Sequence, residues 1–140
     1  MSKSMNLSFS KQELSGISNL LTLLHKALVD EQFRKYEKEQ GRIEHNGQKL
    51  QLLLNHSDFQ WLRPLSSMIA SFDDHIAAEE SDDSSIKDAL KEIEVLLFSD
   101  KNKSFSPSYQ PFQAQTPDII LLHQALKKSL TEISKAHLDS

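Results

Sequence analysis

A chain of 140 residues is the size of one domain and can bury about two thirds of its unfolded surface around a single core. Cysteine is absent, which excludes disulfides, thiolate metal ligands and cysteine nucleophiles together and fits a reducing compartment. With 20 acidic and 16 basic side chains the net charge is -4, a weak footing for nucleic acid, and no apolar run approaches the ~18 residues of a membrane span.

Residues 1–9 are Ser-rich and read as a loose N-terminal tail with no signal-peptide pattern, ahead of a single domain over 10–140. Ser10-Lys11-Gln12-Glu13 has the form of a capping box, in which the Ser10 hydroxyl and the Glu13 carboxylate each accept from the other residue's backbone N–H. Leu14, Ile17, Leu21, Leu24 and Leu28 then alternate spacings of three and four, the seam of one helix face. Val29, Phe33 and Tyr36 continue the seam one residue out of phase, and Gly41 supplies a stop because it adopts a left-handed cap without a Cβ penalty.

Asn46-Gly47 reads as a turn, followed by a short helix carrying Leu50, Leu52, Leu53 and Leu54. A third helix is predicted from about Phe59 to Ala78, with Leu62, Leu65, Ile69, Phe72 and Ile76 on one face. Pro64 falls inside that pattern, and the preferred reading is a kink there; the other is a separate turn before a helix that begins at Pro64. Residues 79–84 form an acidic linker in which Asp83 or Ser84 caps a fourth helix striped by Ile86, Leu90, Ile93 and Leu97. From Ser99 to Thr116 the pattern breaks into a long loop rich in Ser, Pro and Gln, with Phe105, Tyr109 and Phe112 expected to pack back onto the helices. Thr116-Pro117 restarts a helix that carries Ile119, Leu122, Leu126, Leu130 and Ile133. Four long helices and one short one, each with one apolar face, predict an all-α antiparallel bundle.

The segments Leu24-His25-Lys26-Ala27-Leu28-Val29-Asp30, Tyr36-Glu37, Gly41-Arg42-Ile43 and Phe59-Gln60-Trp61-Leu62-Arg63-Pro64-Leu65-Ser66 resemble an uncharacterised bacterial family of small helical proteins, over roughly the first half of the chain. The Trp-Leu-Arg-Pro-Leu-Ser block is the most specific part. An Asp-Pro-aromatic stretch usual before the phenylalanine is replaced here by His56-Ser57-Asp58, so the start of the third helix is expected to differ. The resemblance implies a bacterial cytoplasmic protein and no catalytic residue.

Candidate chemistry is sparse. His25, His75 and His123 fall on three predicted helices beside seam residues, and their convergence would make a metal site; yet no Glu-x-x-His pair is present, and His75 with Glu79 is the single helical spacing of use. The reading adopted is histidines at the edge of the core, with no metal, no cofactor and no catalytic residue. Serines lie at caps and loops without a Gly-x-Ser-x-Gly elbow. Arg63, flanked by Leu62, Pro64 and Leu65, is expected to pair with Asp30, Glu31 or Glu37 on the first helix, the alternative being an anion-binding arginine. Trp61 is read as a core residue, the alternative being a partner anchor, and with Tyr109 and Phe112 it joins Arg63 as a candidate for contact with a ligand or partner. Two functions are therefore carried forward: a non-enzymatic helical interaction protein that binds a protein partner or itself, and a small-molecule or metal-binding bundle with Arg63, His25 and Tyr36 near one pocket.

Overall fold

The computed structural model describes residues 9–78 and 82–138, which form six α-helices and one 3₁₀ helix. Helix α1 (Lys11–Gln40) begins with the predicted capping box: Ser10 Oγ accepts from the Glu13 N–H at 3.0 Å, and Glu13 Oε1 accepts from the Ser10 N–H at 3.1 Å. Its seam of Leu14, Ile17, Leu21, Leu24 and Leu28 is buried, with Gln32 and Phe33 extending the buried face toward the C-terminal end. The helix stops at Gly41, whose φ of 102° is open to glycine and strained for other residues. Glu37 then steers the exit, its carboxylate accepting from the Ile43 N–H at 2.9 Å. Phe9 is buried in the core although it falls within the segment read as a loose tail, and residues 1–8 lie outside the described residues.

Asn46 and Gly47 open α2 (Asn46–Asn55) instead of forming an isolated turn, because His45 Nδ1 accepts from the Gln48 N–H at 3.1 Å and caps the helix. The 3₁₀ helix over Ser57–Leu62 follows and buries Phe59, Trp61 and Leu62. Helix α3 (Arg63–Ala77) starts directly after it with Pro64 in its first turn, so the expected kink at Pro64 is corrected. A proline at that point loses no hydrogen bond, since the first N–H groups of a helix have no partner within it.

Helix α4 (Asp83–Phe98) is capped by Asp82, whose carboxylate accepts from the Ser85 N–H at 2.8 Å; this corrects the cap expected at Asp83 or Ser84. Linker residues 79–81 lie outside the described residues, and Asp83 and Ser84 form the first turn of α4. The segment expected to be a loop contains α5 (Ser106–Gln115), with Pro107 in its first turn and Pro111 within it. Asn102 prepares this start, its side chain accepting from the N–H groups of Ser104 and Phe105. Helix α6 (Pro117–Leu138) completes the order with Ile119, Leu126, Leu130 and Ile133 buried.

Helix α1 is central and packs against α6, α3 and the 3₁₀ helix, while α4 joins α3 to α6. Helix α5 lies on α6, and α2 touches chiefly the 3₁₀ helix. The buried apolar side chains make one continuous core from Phe9 to Ile133. Burying a Leu, Ile or Phe side chain stabilises by roughly 1.5–3 kcal/mol, so this shared core dominates over any single polar contact.

Candidate functional site

Trp61 belongs to the interior, with 8% of its surface exposed. The 3₁₀ turn aims its indole at α1, where Nε1–H donates to Gln32 Oε1 at 2.9 Å. Phe112 stacks on the ring at 5.9 Å and 12°, and Phe105 meets it at 5.5 Å. A cleft of about 580 Å³ opens beside this stack, with Lys35, Asp58, Ser108 and Phe112 among its walls. Phe112 is half-buried, so the cleft gives it an outward edge.

Arg63 is exposed and reaches α2, which corrects the expected pair with an α1 carboxylate. Its Nη2 donates to the Leu54 carbonyl at 3.1 Å, and Gln60 Nε2 donates to the Leu54 and His56 carbonyls at 3.4 and 3.1 Å. The last carbonyls of a helix lack partners within it and carry partial negative charge, so a guanidinium is well placed there. Glu31 pairs instead with Arg34, and Asp30 with Lys26 at 3.2 Å.

The histidines separate into different surroundings. Among the described residues no three His, Cys, Asp or Glu side chains converge on a point that could hold a metal ion. Glu79, the possible companion of His75, lies outside the described residues. His25 and His75 are half-buried, and burial lowers the His25 pKa below its ordinary 6.5. His123 pairs with Tyr109, whose hydroxyl lies 2.7 Å from Nδ1, and Phe98 meets the imidazole edge-on at 4.8 Å.

Tyr109 and His123 are both held neutral. Burial raises the tyrosine pKa far above 10.0; burial and then the Lys127 ammonium lower that of the histidine. Tyr109 is 1% exposed, and every buried side-chain polar atom among the described residues has a hydrogen-bond partner. The arrangement that satisfies both groups has the Tyr109 O–H donating to Nδ1, which leaves the ring proton on Nε2. A cleft of about 570 Å³ adjoins the pair, with Phe98, Gln113, Ala114, His123 and Lys127 in its walls and Asp100 also lining it.

A further outward apolar feature lies on another face. Leu23 on α1 and Leu121 on α6 are 52% and 65% exposed, and both line a groove of about 420 Å³ with Ala27, Ile119 and Leu122. Lys26, Asp30, Glu31, Arg34 and Asp118 surround it. The sequence reading missed both leucines, whose signal was their position just off the buried seams. It likewise missed Gln32, an amide one turn beyond Leu28 on the α1 seam. Tyr109 and His123 stand apart in the sequence, which carries no signal that pairs them. No protein-family model, curated protein or solved structure matches the chain.

Proposed function

We propose that the chain is a non-enzymatic helical interaction protein, an antiparallel bundle that associates with a second copy of itself through the α1/α6 groove. The observation that carries this reading is the pair Leu23 and Leu121, two large apolar side chains more than half exposed on opposite walls of one groove. Contiguous exposed apolar surface with a polar rim is the signature of a contact site. The rim argues for self-association, because it bears both signs: Lys26 and Arg34 with Asp30, Glu31 and Asp118. A two-fold contact places the same patch on both sides and needs such mixed charge, whereas a strongly acidic or basic partner would meet repulsion from half of it. The competing reading, a small-molecule pocket, finds its support at the Tyr109–His123 cleft instead of around Arg63.

Sedimentation across a wide concentration range tests the proposal on the intact chain. A concentration-dependent dimer is expected, and Leu23→Glu with Leu121→Glu should give a monomer of unchanged helicity, since both positions face water. A wild-type chain that sediments as a monomer throughout defeats the reading, and so does a dimer that survives both substitutions.

A further inference from the structure

The Tyr109–His123 cleft lies apart from the groove, and its chemistry stands whether or not the chain self-associates. Two helices build it in complementary ways. Tyr109 enters from α5 and fixes one imidazole tautomer; α6 then presents His123 and Lys127 one turn apart, both lining the cleft. Lys127 makes no ion pair with any described residue, yet its ammonium lies near enough to His123 to oppose protonation of the ring. The result is a neutral N–H donor beside an uncompensated cation. Phe98 and Ala114 add apolar wall, and Gln113 a neutral amide. The volume suits a small molecule, and convergent polar groups in a partly apolar recess are how such ligands are oriented.

We propose that this cleft binds a small organic carboxylate, whose carboxylate group takes the His123 Nε2–H and the Lys127 ammonium while its apolar body lies along Phe98 and Ala114. One cation with one neutral donor matches a monoanion. A phosphate dianion is disfavoured by the Asp100 carboxylate, which also lines the cleft and has Lys103 at 3.9 Å as its own exposed partner. The charged and titratable groups around the imidazole are thus Asp100 after α4, Tyr109 on α5 and Lys127 on α6.

Benzoate is a suitable probe, followed by NMR of the ring signals of His123 and Tyr109 and the side chain of Lys127, with inorganic phosphate as the comparison. Saturable shifts confined to these three residues and to Phe98 and Ala114 are expected. Bound benzoate should raise the His123 pKa, because a carboxylate at Nε2 favours the imidazolium, and affinity should therefore increase as pH falls through that pKa. Lys127→Ala should weaken benzoate about fivefold, an exposed charge contributing less than a buried one. Lys127 is exposed, so this variant keeps the fold. No saturation by about 20 mM benzoate, a range that corresponds to very weak binding, overturns the proposal. Undiminished affinity in Lys127→Ala overturns it too, as does phosphate binding as tightly as benzoate.

Discussion

The indole N–H of Trp61 and the side-chain carbonyl of Gln32 meet at 2.9 Å inside the core, joining the 3₁₀ helix to α1 across 29 positions of sequence. Gln32 is 5% exposed, and this bond satisfies a polar atom on each side of the contact.

Gln32→Leu should therefore destabilise the protein by about 1–3 kcal/mol, the cost of leaving a buried N–H without an acceptor. Trp61→Phe should cost at least as much, through lost packing and an orphaned amide. Combining the two should be less damaging than the sum of the single changes, because the double variant leaves neither polar group behind. Urea unfolding monitored by circular dichroism measures all three; strict additivity would mean that the bond is energetically idle.

Arg63→Ala should lower stability by about 0.3–1 kcal/mol, the range for a cation at an exposed helix C-terminus. The freed Leu54 carbonyl can turn to water. Arg63→Lys should recover much of the loss, since an ammonium can also bond a carbonyl and no bidentate carboxylate contact is at stake. A loss near ~3 kcal/mol in the unfolding free energy from urea titration would point to a buried ion pair instead.

The segment from Lys101 to Gln115 should resist limited proteolysis in the native protein, because Phe105 and Tyr109 are 0% and 1% exposed. Phe105→Ala removes a ring packed against both Trp61 and Tyr109, and should cost roughly 3–5 kcal/mol. Cleavage near Tyr109 should then appear early. Unchanged resistance in the variant would show that α5 is held mainly by other contacts.

Stability should fall on mild acidification. Burial lowers the folded pKa values of His25 and His123 below 6.5, so between the folded and unfolded values the unfolded chain binds more protons. Their contribution is complete above about 6.5, is lost as pH drops toward the depressed folded values, and levels off beneath them. Urea midpoints from pH 8 to pH 5 report the slope, and His25→Gln should flatten it. An unchanged slope in that variant would remove His25 from the account.

The long helices were legible because burial repeats along them: most seam positions of α1, α4 and α6 become the core, Val29, Tyr36 and Leu122 staying half-buried at its edge. Helix α5 was not, since its apolar positions are few and its two prolines read as breakers. Pro107 lies in the first turn, where a missing N–H costs nothing, and aromatic burial carries the rest. Arg63 was misread for a different reason. Its apolar sequence neighbours suggested a buried charge, but a helix can bury residues 62 and 65 while directing 63 outward, and the backbone carbonyl it meets has no sequence signature. For the candidate cleft, sequence could name Tyr109 and His123 but could not join them. Their pairing depends on how α5 lies against α6, and tertiary packing decides that.

Helix α2 contains no fully buried residue; Leu52 and Leu53 pack half-buried against the core, while His45 at the start and Arg63 and Gln60 at the last carbonyls fasten its ends. Such a segment can melt alone. Its amides should exchange with deuterium through a sub-global opening that leaves the Leu14–Leu28 ladder of α1 protected, giving this small protein two tiers of cooperativity. Because Leu50 and Leu54 are already more than half exposed, the opening uncovers chiefly Leu52 and Leu53, and its exchange rate should respond to urea far less than global unfolding does.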